Sequence, residues 1–200
     1  MDPVIVVATR NAHKVRELLD LLPGLKLELK LLSDFPGAPE VIEDGTTLEE
    51  NAAKKARSAA AFCGLWALAD DTGLFVDALD GAPGIYAARY AGPGCSYSDN
   101  NAKLLSALAG LPAEKRTASF RSVIALSSSA GSVITVEGRL DGSIAFSASG
   151  VNGFGYDPLF LAGGTGKTLA GLTASEKNAI SHRANAIRKI APYLAKLAAQ

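Results

Sequence analysis

This chain lacks several things that would place it in a class at once. Its two cysteines, Cys63 and Cys95, are far apart in sequence and form no CxxC or CxxH spacing, so a zinc or dithiol motif is not expected and reduced thiols are. No excess of either charge exists, because 20 basic side chains balance 20 acidic ones. Without a run of like charge, the electrostatic footprint of a general nucleic-acid or membrane-surface binder is missing, although a small anionic ligand remains allowed. There is also no long apolar run. The opening MDPVIVVATR has an acid where a secretion signal needs positive charge, and no later stretch is long enough to span a bilayer. The expectation is a soluble, cytoplasmic protein. Internal repeats, low-complexity tracts and a convincing linker are likewise absent from the sequence.

What is present suits one α/β domain, with room for two lobes. Two hundred residues bury roughly 70% of the surface of the unfolded chain. Val4 to Ala8 reads as a short strand ending at Thr9. Val15, Leu18, Leu19 and Leu22 then recur at helical spacing, with Pro23 and Gly24 as a stop. Leu25, Leu27, Leu29 and Leu31 alternate with charged residues, the period of a half-buried strand. Thr47 and Glu50 predict a capping box opening an alanine-rich helix that Gly64 ends. Leu65 to Ala69 and Leu74 to Ala78 read as two strands flanking an acidic turn, Asp70-Asp71-Thr72-Gly73. A helix is predicted over about 98–108. A long hairpin is predicted from Thr117–Ser127 and Ser132–Ala145, with Gly138 as a bulge, and this hairpin is a candidate second lobe. After a glycine-rich segment around one short strand, Thr173 and Glu176 cap a final helix. Its apolar face is Ile180, Ala184, Ile187, Ala191 and Leu194, and Pro192 is expected to bend or split it.

The two adjacent aspartates raise the sharpest question. An ionised carboxylate buried without a partner costs several kcal/mol, so Asp70 and Asp71 must be solvated, protonated or neutralised by a cation. As an exposed type I turn they need no function. Together with Glu43 and Asp44, in a turn before the alanine-rich helix, they supply the oxygen ligands that Mg²⁺ takes alongside substrate phosphates and water.

Thr9, Asn11 and Lys14 occupy a strand-to-helix turn. Free backbone N–H groups and the helix dipole favour an anion there, though a plain helix cap explains the first two equally. Asn51 and Lys55 share a helix face beside Lys54 and Arg57. Phe154, Gly155, Tyr156 and Asp157 combine aromatic faces, a close-approach glycine and a carboxylate in one loop, suited to stacking on a base or to core packing. Lys177, Asn178, Ser181, His182 and Arg183 cluster donors on the last helix. The GGTGKT at 163–168 looks like a P-loop, but that motif requires glycine at 161, where Leu161 stands.

In this order TRNAHK, ENAAKKA, ALADDTGL, GAPGIYAARYAG, FGYDPLF and EKNAISHR closely resemble the inosine triphosphate pyrophosphatase family, over residues 4 to about 190. The resemblance implies an elongated, two-lobed α/β mixed sheet with flanking helices and a substrate cleft between the lobes, assembled as a homodimer. It implies Mg²⁺-dependent hydrolysis of ITP, dITP and XTP to the monophosphate and pyrophosphate. It assigns Thr9, Asn11, Lys14 and Lys55 to the triphosphate, Glu43 and Asp71 to the metal, and Asp71 also to the role of general base. Thr72 matches a substrate contact, Phe154 the base-stacking residue with Gly155, Tyr156 and Asp157 completing its loop, and Lys177, His182 and Arg183 the base-reading helix. Arg10, Gly171 and Ala174-Ser175 depart from the family pattern. A non-catalytic purine nucleotide sensor and a P-loop-like ATPase or kinase using Gly166 and Lys167 are the competing readings.

Overall fold

The computed structural model describes residues 3–22 and 26–199. The stop at Pro23 and Gly24 and the strand position of Leu25 lie outside them. In chain order the elements are β1 (Val4–Val7), α1 (Ala12–Leu21), β2 (Glu28–Leu31), α2 (Leu48–Cys63), β3 (Trp66–Val76), β4 (Pro83–Gly84), α3 (Tyr97–Ala107), β5 (Thr117–Ser127), β6 (Val133–Ile144), β7 (Phe160–Ala162), α4 (Ala174–Ile180) and α5 (His182–Ala198), joined by turns and single 3₁₀ turns. The strands form one mixed sheet in the order β2-β1-β3-β5-β6-β7, with β4 paired to β3. β1 runs parallel to both β2 and β3, placing Ile5 opposite Leu29 and Trp66. β4 pairs antiparallel with β3, and β7 antiparallel with β6.

The chain divides into two compact units. The first comprises residues 1–71, 122–138 and 183–200, and the second residues 72–121 and 139–182. Each has its own core. In the first, Ile5, Val7, Leu18, Leu68, Ile124, Leu126, Ile187, Ile190 and Leu194 pack together. In the second the core is Leu74, Val76, Leu104, Leu108, Phe120, Ile144, Tyr156, Leu159, Phe160 and Leu169. The buried, non-alternating β1 is what a parallel strand covered on both faces requires.

Local signals explain the helix boundaries. Asn11 caps α1, its Oδ1 accepting from His13 N and Lys14 N. Gly64, at φ 68°, ends α2 in the left-handed region. At the α2 start the expected reciprocal box is half made. Thr47 Oγ1 accepts from Glu50 N, but the Glu50 carboxylate bonds the backbone and hydroxyl of Thr46 instead.

Three expectations are corrected. Asp70 to Gly73 do not form a turn between two strands: β3 is continuous through them. An extended path is open to the two acids because each side chain finds cationic partners, so neither needs a solvent-exposed bend. The hairpin of β5 and β6 is not a second lobe, since its tip (122–138) belongs to the first unit and its base to the second. Finally, the C-terminal helix breaks at Ser181, which is extended at ψ 154°, and not at Pro192, which lies inside α5. The break separates Ile180, packed on the second core, from Ile187 and Leu194 in the first.

Gly73 marks the tightest approach next to the acidic pair. A Cβ there would lie 2.7 Å from the carbonyl oxygen of Gly84 and 2.9 Å from the Phe75 ring. Gly73→Ala is expected to strain the β3–β4 pairing and to lower stability by about 1–3 kcal/mol, measured by urea denaturation.

Candidate active site

Side chains at β3 collect a charged cluster within the first unit. Asp70, with its side chain fully buried, meets Lys14 Nζ at 2.5 Å and Arg183 Nε at 3.0 Å, and its Oδ2 accepts from the Ser122 hydroxyl at 2.6 Å. Arg183, 1% exposed, also pairs with Glu17 from α1. Two cations and two anions therefore close a neutral network drawn from α1, β3, β5 and α5. Burial alone would push the Asp70 carboxyl up, but Arg183 and Lys14 outweigh it and hold the group well below the usual carboxylate range. The Arg183 guanidinium is driven upward by Asp70 and Glu17 in spite of its own burial. Burial pulls the Lys14 ammonium down, against the opposing pull of Asp70.

Successive side chains on a strand alternate in direction, and Asp71 has a different partner. Lys55 Nζ from α2 lies 2.7 Å from Asp71 Oδ1, 3.2 Å from Glu43 Oε1 and 2.9 Å from the backbone oxygen of Asp70. One ammonium is thus ringed by three oxygens. Burial raises the Asp71 carboxyl above its usual value, an effect Lys55 opposes. Burial pulls on Lys55 too, but Asp71 and Glu43 more than offset it and keep the amine charged. The turn carrying Glu43 is anchored from α2, where buried Asn51 accepts from Gly45 N at 2.8 Å. Among the described residues no group of three or more His, Cys, Asp or Glu side chains is placed to cage a metal. Glu43 and Asp71 do converge on a single cation position, however, and two carboxylates plus substrate oxygens are a sufficient set for a hard divalent ion.

Thr9 and Asn11 act as cap and turn residues: Thr9 Oγ1 accepts from Asn11 N at 3.2 Å, and Asn11 caps α1. This arrangement leaves Lys14 one turn into the helix, on the Asp70 side. Arg10 reaches away to the Ala38 carbonyl at 2.8 Å.

The remaining candidates belong to the second unit, which begins at Thr72. Asp157 Oδ2 accepts from Phe154 N at 2.8 Å and from Lys177 Nζ at 2.6 Å, closing the 153–157 loop onto α4. The Lys177 ammonium is 5.3 Å from the centre of the half-buried Phe154 ring. Tyr156 is buried in the core and donates to the Ala87 carbonyl at 2.9 Å, so it supports the loop. Its burial raises the phenol out of the ordinary range. His182 stacks on Phe120 at 4.6 Å. His182 and Arg183, adjacent in sequence, therefore serve different units. The GGTGKT segment is no P-loop: Leu161 is in β7, Lys167 pairs with exposed Glu176, and a single 3₁₀ turn follows.

Sequence reasoning passed over Glu17, Ser122, Tyr97, Asn101 and Phe120. Glu17 had a signal, since it is three residues from Lys14 and so on the same helix face. Ser122 and Phe120 are separated from their partners by more than 50 residues, and nothing local marks them.

Replacing Asp70 by Asn leaves Arg183 and Lys14 facing a neutral amide and is expected to cost about 3–5 kcal/mol. The native carboxyl is depressed, so its stabilisation is complete above the unfolded value of about 3.9. It is lost as pH falls through the folded value. The stability gap between wild type and Asp70→Asn, followed by chemical denaturation, should therefore stay constant from neutral pH to about pH 5 and narrow only in stronger acid.

The profile of the Ham1 family matches residues 5–193. Over 190 residues the chain is 54% identical to the dITP/XTP pyrophosphatase of Geobacter sulfurreducens, covering 95% of this chain and 96% of the relative. It is 51% identical to the dITP/XTP pyrophosphatase of Exiguobacterium sibiricum, covering 93% and 94%. The solved HAM1 protein of Coxiella burnetii superimposes with a TM-score of 0.88 at 40% identity, covering 97% of this chain and 99% of that one. With the family profile running through both units and the solved relative superimposing over 97% of this chain, this chain belongs to the Ham1 family.

Proposed function

We propose that this protein hydrolyses non-canonical purine nucleoside triphosphates, dITP, XTP and ITP, to the nucleoside monophosphate and pyrophosphate. The observation that carries this reading is the ring of oxygens from Glu43, Asp70 and Asp71 around the Lys55 ammonium. It supports the reading because a cation position, a positive charge and a candidate base would lie at one point, as cleavage between the α- and β-phosphates requires. The names of the relatives from Geobacter sulfurreducens and Exiguobacterium sibiricum support the substrate class.

In this reading Lys14, Thr9 and Asn11 bind the triphosphate at the N-terminus of α1, where the helix dipole favours phosphate. Lys55 turns from the carboxylates to the phosphate oxygens when substrate arrives. Asp71 accepts a proton from the attacking water, which lies in line with the leaving pyrophosphate. Mg²⁺, held by Glu43 and Asp71, neutralises charge on the phosphate oxygens when bound. Asp70 touches no reacting atom; it keeps Lys14 charged and placed.

The base is taken by the 153–157 loop, with Phe154 as the stacking face and Thr72 and His182 as neighbouring contacts. Lys177, an ammonium, faces a 6-oxo group favourably. A 6-amino group would leave it mispaired, at about 1–3 kcal/mol for each lost contact. Arg183 is engaged by Asp70 and Glu17, and in this reading it makes no direct contact with the base. Assembly as a homodimer, in line with the family resemblance, belongs to the same reading.

Incubation of the protein with dITP and Mg²⁺ should yield dIMP and pyrophosphate by ion-exchange chromatography. With dATP, turnover should be about 10- to 100-fold slower or less. Asp71→Asn should lower kcat by about 10²–10⁴-fold while the fold is retained, and chelation should abolish turnover. Release of orthophosphate with a diphosphate product would overturn this chemistry, and an absence of any product would favour a nucleotide sensor.

A further inference from the structure

The GIYAARYAG motif and the helix that follows it have no part in the proposed chemistry, yet the Ala87 carbonyl of the motif and the Tyr97 and Asn101 side chains of the helix all meet the 153–157 loop. We propose that Asn101 on α3 is a positioning residue for the nucleobase, acting through the Gly155 peptide; this rests on the assignment of that loop to base binding.

The loop is soft where it most needs to be defined. Phe154 stands between Gly153 (φ 73°) and Gly155 (φ 64°), both in the left-handed region. Glycine flanks impose little torsional preference of their own, so the ring's aim depends on what holds the neighbouring peptides. Asp157 holds the Phe154 N–H from inside the loop. From outside it, Asn101 Nδ2 donates to the Gly155 carbonyl at 3.0 Å, across 54 residues of sequence. One helical turn earlier, Tyr97 meets the Phe154 ring at 6.0 Å between centroids with an interplanar angle of 46°. Residues four apart share a helix face, so α3 presents a ring to Phe154 and an amide to the next peptide.

The adjacent Asn100 works on the other side. Its Oδ1 accepts from Ala91 N at 2.7 Å and its Nδ2 donates to the Ala88 carbonyl at 3.2 Å, bracing the segment whose Ala87 carbonyl receives the Tyr156 hydroxyl. Two consecutive asparagines thus tie the two central residues of the FGYD tetrapeptide, Asn101 directly at Gly155 and Asn100 through Ala87 and Tyr156.

Asn101 is not an efficient choice for stability. Its Oδ1 is buried without a hydrogen-bond partner among the described residues, a cost that an apolar side chain of similar size would not carry. The residue is therefore explained by the bond its Nδ2 makes, and loop placement and stability should respond to substitution in opposite directions.

The test is Asn101→Leu, with Asn101→Ala as a second variant lacking the donor without added bulk. KM for dITP should rise about ten-fold with kcat within about two-fold. The preference for dITP over dATP should shrink, and the thermal midpoint of the Leu variant should be unchanged or higher. Hydrogen exchange of peptides spanning 150–157 should quicken in both variants while those in β1 and α5 stay as in the wild type. An unchanged KM together with unchanged exchange at 150–157 overturns the proposal. So does a KM rise accompanied by a lowered midpoint and faster exchange throughout, which would make Asn101 merely structural. Wild-type protein that fails to hydrolyse dITP defeats the functional reading itself, and the exchange experiment then still decides whether Asn101 holds the loop.

Discussion

A carboxylate with no solvent access, Asp70, is the constraint around which the first unit is arranged. Left alone it would be untenable, because desolvating an ion costs more than most single contacts return. The solution draws on four elements: Lys14 from α1, Arg183 from the start of α5, Ser122 from β5 and the carboxylate itself from β3. Arg183, still carrying charge to spare, takes Glu17 from α1. Each member satisfies another, so removing one strands the rest, and the network specifies how these elements approach more strictly than their apolar contacts do.

That arrangement frees the neighbouring aspartate. Asp71 lies on the opposite side of the same strand, held by a lysine whose ammonium also meets Glu43. Asp70 is committed to structure and sits far below its normal titration range, whereas burial moves Asp71 the other way, toward a carboxyl able to take up a proton. Two identical side chains one residue apart thus differ in role because one is paired with both Lys14 and Arg183, whereas the other shares Lys55 with Glu43.

Much of this was legible in the sequence, and the part that was not has a common cause. Periodicity located α2, β5 and β6 because each is long, and Gly64 marks where α2 ends. The motif order singled out Lys14, Lys55, Asp71 and Lys177 as site residues, and within the units Lys14 meets Asp70, Lys55 meets Asp71 and Lys177 meets Asp157. DDTG misled as a turn because local composition cannot anticipate that Arg183, 113 residues away, neutralises Asp70. Tyr156 and Arg183 carry family motifs, but their side chains are spent on a core hydroxyl bond and a buried ion network. Their donors are directed by tertiary partners that no spacing rule encodes.

The break at Ser181 has a consequence for how the chain tolerates change in length. A continuous helix would lock the rotational phase of Lys177 to that of Arg183, so that packing demands on one side would be imposed on the other. With one extended residue between α4 and α5, each helix answers to its own core, but the phase of α5 is now counted from that joint. Each residue turns a helix by about 100°. A single insertion or deletion before His182 thus has to be absorbed at the joint, or it swings Arg183 off Asp70. Length in this short stretch is a more stringent requirement than the identity of most residues within it.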